Sequence, residues 1–148
     1  MGGTSGLCAS PTHCAGFVDD GALYVWTHEG APLLTLTFSP YALANNVLLV
    51  AATHEATVRV LDCTSGLPVR ELALPNGKAM VLAACFATGK VAVYSKVSKN
   101  RDVITILALD SGAVLRVLPA AGIRFMVFAP DGAAVYAMVH GTCIKYPV

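Results

Sequence analysis

Four segments of this chain are variations on one theme: ALYVWTHEG from Ala22, TVRVLDCTSG from Thr57, VITILALDSG from Val103 and TCIKYPV from Thr142. Each is a short run of β-branched, aromatic and aliphatic residues, the types that suit a pleated surface. Recurrence of this kind constrains the fold more than any single motif, because a unit that returns along the chain buries its apolar face against neighbouring copies. Aligning Trp26, Leu61, Leu109 and Tyr146 gives spacings of 35, 48 and 37 residues. A four-stranded unit needs about 40–45.

Further elements recur between these segments. LLTLTFSP, MVLAACFATG and RFMVFAPDG each carry a Phe just before a turn, and NVLLVAATHE, KVAVYSK and AAVYAMVHG follow them. After the LDCTSG and LDSG turns come LPVRELALP and AVLRVLP. Turn formers punctuate at short intervals, among them DDG at 19–21, PNG at 75–77, SG at 111–112 and PDG at 130–132. The order is strand, turn, strand, turn, strand, Gly turn, strand, which is an antiparallel meander repeated along the chain. Runs such as VLLVAA, AMVLAACF, VITILAL and FMVF are almost continuously apolar, as expected of strands buried on both faces. That burial accounts for 55% hydrophobic and 13% charged residues without a membrane. A spanning helix needs about 20 consecutive apolar residues, and the best stretch, NVLLVAATHEATVRVLD, is broken by His54, Glu55 and Arg59.

This pattern resembles the WD-repeat propellers, and FAPDG followed by AAVYAMV is similar to the related YVTN repeats. The resemblance runs from about His13 to the end. Trp26 takes the family's Trp position, with Leu61, Leu109 and Tyr146 in its place elsewhere, and the family's Gly-His dipeptide is missing. The resemblance implies an all-β fold, a WD-repeat-like β-propeller or partial propeller with two nearly complete and two partial four-stranded antiparallel blades. About thirteen strands are expected in a single repeat domain over 13–148, with blade segments near 13–30, 31–74, 79–118 and 123–148 and a tail over 1–12. The first blade is expected to be short, holding only THCAGFVDD and ALYVW, and the last to end at its third strand. Propellers close with about four to eight blades, and an open arc exposes strand edges and an apolar blade face. Either a second copy in a homodimer or another chain is expected to complete the ring. The implied function is a non-catalytic scaffold for protein–protein interaction.

A net charge of +1 and a pI near 7.7 give no reason to expect a nucleic-acid partner, which favours a strongly basic face. The N-terminal MGGTSGLCASPTHCAGF lacks a signal-peptide pattern, and Gly6 stands where a myristoylation motif requires Ser or Thr. Cys8, Cys14, Cys63, Cys85 and Cys143 form no CxxC pair, which fits free buried thiols in a reducing compartment. The expected location is cytoplasmic.

The sharpest chemical pattern is ILALDSGA around Asp110. Retropepsin-like aspartic peptidases carry such a string, and a homodimer supplies the second carboxylate that shares the proton. Against this, Asp62 with Ser65-Gly66 stands at the corresponding place in the preceding repeat, two residues longer, so the Asp reads as a turn former. His13, Cys14 and Cys8 match no zinc spacing and read as two buried thiols and a surface His. His28, His54 and His140 fall at strand ends and read as solvated. Asp131-Gly132 reads as hairpin geometry. No GxSxG or P-loop is present. The local charge cluster is KVSKNR, where Lys96, Lys99 and Arg101 extend a hairpin tip. No catalytic, cofactor-binding or metal-ligating residue is assigned, and no cofactor is expected.

Overall fold

The computed structural model describes residues 7–17, 22–36, 41–44, 47–51 and 56–148. Among them are fifteen strands in four antiparallel sheets. The first sheet comprises β1 (Leu7–Ala9), β2 (His13–Phe17), β3 (Leu23–Thr27) and β4 (Pro32–Leu36). The second comprises β5 (Tyr41–Ala44), β6 (Val47–Ala51), β7 (Thr57–Asp62) and β8 (Pro68–Ala73). The third comprises β9 (Lys78–Cys85), β10 (Lys90–Ser98), β11 (Arg101–Ala108) and β12 (Val114–Ala120). The fourth comprises β13 (Ile123–Phe128), β14 (Ala134–Val139) and β15 (Thr142–Pro147). Within every sheet the spatial order follows the chain order, as short hairpin connections require.

Two boundaries differ from the sequence expectation. Leu7–Ala9 of the expected tail pairs with β2, in the register Leu7↔Gly16 and Ala9↔Cys14. The segment APLLTL, expected to open the second blade, instead closes the first, with Leu23↔Leu36 and Val25↔Leu34. The first sheet is therefore four-stranded. The physical reason is the tight THEGA turn: Thr27 N–H donates to Ala31 O at 2.9 Å and Gly30 N–H to Thr27 O at 3.0 Å, folding β4 straight back on β3. Phe38, aligned above with Phe86 and Phe128, lies outside the described residues.

Three apolar layers join the sheets. Leu23, Val25 and Ala15 of the first sheet pack with Leu43, Leu61 and Cys63 of the second. Val58, Val60 and Leu72 of the second meet Leu82, Val91, Val93 and Leu107 of the third. Ala92, Tyr94, Ile104 and Ile106 of the third meet Ile123, Phe128, Val135 and Ala137 of the fourth. The second and third sheets are thus apolar on both faces, as their continuous runs predict. Each such buried aliphatic side chain contributes about 1.5–3 kcal/mol relative to exposure. The first strands of successive sheets lie side by side, β1 near β5, β5 near β9 and β9 near β13. The fourth strands β8 and β12 are largely exposed, so they form the outer rim.

Repeat geometry is best seen in a β-bulge that returns in three sheets. The register slips between Val25 and Trp26, between Val60 and Leu61, and between Ile106 and Leu107. Trp26, Leu61 and Leu107 are therefore equivalent, and Tyr146 joins them through its pairing with Val135. Leu109, aligned with them from sequence, sits two residues further on. Consequently DCTSG at 62–66 and ALDSG at 108–112 are the same turn without an insertion. Gly66 N–H donates to Asp62 O at 2.9 Å and Gly112 N–H to Ala108 O at 2.8 Å. Both glycines have positive φ, +70° and +73°, which an L-residue with a Cβ adopts only at a cost.

Candidate interaction surface

The shared turn explains the carboxylates. Asp62 Oδ1 accepts from the backbone N–H of Thr64 at 3.0 Å and of Ser65 at 2.8 Å, and from Ser65 Oγ at 3.0 Å. These bonds, the Ser65 backbone foremost, hold its carboxyl below the ordinary value. Asp131 Oδ1 accepts from Ala133 N–H at 2.9 Å. Asp110 lies exposed in the third-sheet version of the turn, where its equivalent in the second sheet is Thr64. Asp62 in turn corresponds to Ala108, so the two aspartates occupy different positions of one turn.

The structure separates the other sequence candidates. His13 is buried rather than at the surface, its Nδ1 2.7 Å from Thr12 Oγ1, and its backbone N–H donates to Ser10 Oγ at 3.0 Å. Cys14 is half-buried, and the Cys8 side chain lies outside the description. No group of three or more potential metal ligands occurs among the described residues. Cys63 and Cys85 are buried free thiols as expected, whereas Cys143 is exposed. Burial, reinforced by the Asp62 charge, pushes the Cys63 thiol up to about 11. His28 and His140 are exposed, and His54 lies outside the described residues. No described helix is long and apolar enough to cross a membrane.

Polar clasps hold adjacent sheets in fixed relation. Arg70 of the second sheet donates to Leu109 O in the third at 3.1 Å. Lys90 of the third donates to Gly132 O in the fourth at 3.2 Å. Tyr94 Oη donates to the Asp102 carboxylate and accepts from Gly122 N–H, on the link into β13, at 3.0 Å. Burial first, and the neighbouring Asp102 second, raise the Tyr94 hydroxyl above its usual value. Near the same end of the third sheet, Lys78 pairs directly with Lys96 across strands, beside Lys99 and Arg101 of the hairpin. Sequence reading found three of these four cations; Lys78 is distant in the chain and joins them only through strand register.

The sequence leads us to expect that an open arc exposes an apolar blade face, but it does not single out the residues of the most conspicuous surface. On the outward side of the fourth sheet stand Phe125 and Val127 of β13 and Tyr136 and Met138 of β14, with Lys145 over the Tyr136 ring at 5.9 Å. Register makes Tyr136 the equivalent of Ala92, Met138 of Tyr94, and Val127 of Ala83. In the third sheet these positions are covered, at 0%, 5% and 7% exposure, whereas in the fourth they are 36%, 39% and 61% exposed. The same face that receives a neighbour inside the chain is therefore bare at its end. The first sheet shows no matching patch of exposed large apolar side chains among its described residues. Leu61, Leu107 and Tyr146 pack on the sheet before them, whereas Trp26 lies on the side of the first sheet turned away from the second, as does Tyr24 by strand alternation.

Comparison with known proteins agrees with this architecture. No family model matches the chain, and no curated protein matches it. Among solved structures, a chain of a mitotic checkpoint complex matches with a TM-score of 0.70 at 14% identity, over 97% of this chain and 48% of that one. A chain of the Kuenenia stuttgartiensis hydrazine synthase matches with a TM-score of 0.68 at 12% identity, over 88% of this chain and 42% of that one. The fold is all-β and of the β-propeller type. The chain spans somewhat less than half the length of the two structures it matches.

Proposed function

We propose that the protein is a non-catalytic scaffold for protein–protein interaction, built from WD-like repeats, that works in the cytoplasm as part of a larger propeller assembly. The observation that carries this reading is the bare apolar face of the fourth sheet, at positions that are buried one sheet earlier. Exposed contiguous apolar surface on a rigid framework is characteristic of a protein contact. Likeness to a chain from a multi-protein checkpoint complex supports protein partners, by analogy of fold. The hairpin cations Lys96, Lys99 and Arg101 with Lys78 supply a basic edge for an acidic partner. The test is affinity capture from source-cell extract with the wild type and with a K96E/K99E/R101E variant, alongside a peptide-hydrolysis assay of the wild type and D110N. A scaffold yields a defined co-purifying partner set and no hydrolysis. Hydrolysis abolished by D110N would replace this reading with the aspartic peptidase.

A further inference from the structure

We infer that the extended β10–β11 hairpin, with Lys78 beside it, is a docking arm for an acidic, carboxylate-rich segment of a partner protein. The inference rests on the scaffold reading and names the chemistry of the partner. Register shows that the arm is an addition to the repeat. Ser95 pairs with Val103, and their equivalents in the fourth sheet, Val139 and Thr142, pair in the same way. The fourth sheet joins that pair through His140 and Gly141, whereas the third inserts residues 96–102. Pairing continues into the insertion through Lys96↔Asp102 and Ser98↔Arg101. The tip therefore passes beyond the last residues that β9 and β12 pair, Lys78 and Ala120. Residues 96–101 are all exposed, so the arm adds nothing to the apolar layers.

The charge on the arm is of one sign. Lys96, Lys99 and Arg101 stand on it, with Val97 37% exposed among them. Lys78 faces Lys96 directly across the strands, an arrangement that costs stability. Gly77 sets that pair: a Cβ there would lie 2.5 Å from Lys96 O, so the turn before β9 closes tightly on the arm. Among the described residues, none of the four cations has a carboxylate in ion-pair contact. Asp102, opposite Lys96, is engaged by the Tyr94 hydroxyl, and Asp19, Asp20 and Glu55 lie outside the described residues. Hairpin turns alternate between the two ends of each sheet, and the turns at the opposite end carry Glu29, Asp62, Asp110 and Asp131. Four cations on one hairpin, in a chain of net charge +1, form a short patch that fits a few carboxylates rather than the continuous phosphate track of a nucleic acid. Val97 adds an apolar contact that a peptide side chain can use and a phosphate backbone cannot.

The experiment is fluorescence anisotropy of labelled decaglutamate titrated with the full chain, as wild type, K78E, K96E/K99E/R101E and R116E, with oligothymidylate of equal charge as competitor. K78E separates binding from folding, because it replaces a like-charge pair by an attractive one and is expected to keep or raise the denaturation midpoint. Arg116 is exposed on the rim strand β12, so R116E makes the same charge change away from the arm. The expected result is saturable binding of decaglutamate that K78E weakens about fivefold. Binding is expected to be lost in the triple variant, unchanged in R116E and not displaced by oligothymidylate at equal concentration. No binding by the wild type, equal weakening by K78E and R116E, or preferential binding of oligothymidylate would each overturn the inference. A defined partner set captured from extract and indifferent to K96E/K99E/R101E would leave the scaffold reading standing while this inference falls, so the two failures are distinguishable.

Discussion

Among the described residues, two buried hydroxyls stand without a hydrogen-bond partner between the second and third sheets: Ser95 Oγ and Thr105 Oγ1. Both residues are 1% exposed. Thr105 pairs with Val93 on β10 and Val117 on β12, and it shares the face of Val93, which packs against Val58 and Leu72. In the unfolded chain water satisfies these hydroxyls; in the folded chain no described protein group does. Leaving such a group unpaired costs about 1–3 kcal/mol. Thr105→Val keeps the branched shape and replaces the hydroxyl by a methyl, so it creates no cavity. The expected gain is about 1–2 kcal/mol, by the same cost, and for a chain of this size each kcal/mol raises Tm by about 2–4 °C. Urea denaturation followed by circular dichroism reads the gain as a higher midpoint at unchanged slope. Ser95 and Thr105 are diagonal neighbours on one face, so S95A and the double variant belong in the same set. Loss of stability in each single variant, restored in the double, would show that the hydroxyls bond to one another and would refute the reasoning.

Tyr94→Phe removes both the donor to Asp102 and the acceptor of Gly122 N–H, and is expected to cost about 1–3 kcal/mol in denaturant melts. Because the fold favours the neutral phenol, Tyr94 contributes stability below its ordinary value of 10.0 that is lost as pH rises beyond it; Y94F lacks this alkaline limb. Cys63, raised from 9.0 to about 11, likewise contributes stability that is full below pH 9 and lost towards pH 11, and a thiol reagent is expected to label exposed Cys143 well before Cys63. Lys78→Glu turns a like-charge cross-strand pair with Lys96 into an attractive one, worth about 0.2–1 kcal/mol and smaller at high salt. Asp62→Ala frees the amides of Thr64 and Ser65, whose hydrogen exchange is expected to accelerate; the contribution of this carboxylate is present above its ordinary value of 3.8 and lost as pH falls through its lowered one.

The recurrence of aliphatic runs and glycine turns determined the fold class, since local residue types alone choose strand over helix and place the hairpins. Blade boundaries were harder. APLLTL has the composition of any strand in the chain, and only its pairing with β3 assigns it to the first sheet. Matching Leu61-Asp62 to Leu109-Asp110 placed one alignment two residues off, because the two aspartates stand at different positions of one turn, and the bulge shared by Trp26, Leu61 and Leu107, which gives the true equivalence, has no marker in the sequence. Asp110 attracted attention as a chemical motif, yet the turn it occupies is built equally well with Thr64.

What the chain encodes locally is therefore strand, turn and repeat, each set by a few adjacent residues. What tertiary structure decided is which faces are covered. Val127 and Ala83 are equivalent by register, and no local property distinguishes the covered position from the bare one. Lys78 and Lys96 meet, and Phe125 and Met138 share one surface, because register brings together residues that lie well apart in the chain. Burial belongs to the arrangement of the sheets, and a bare face is one that the described residues leave without a neighbour.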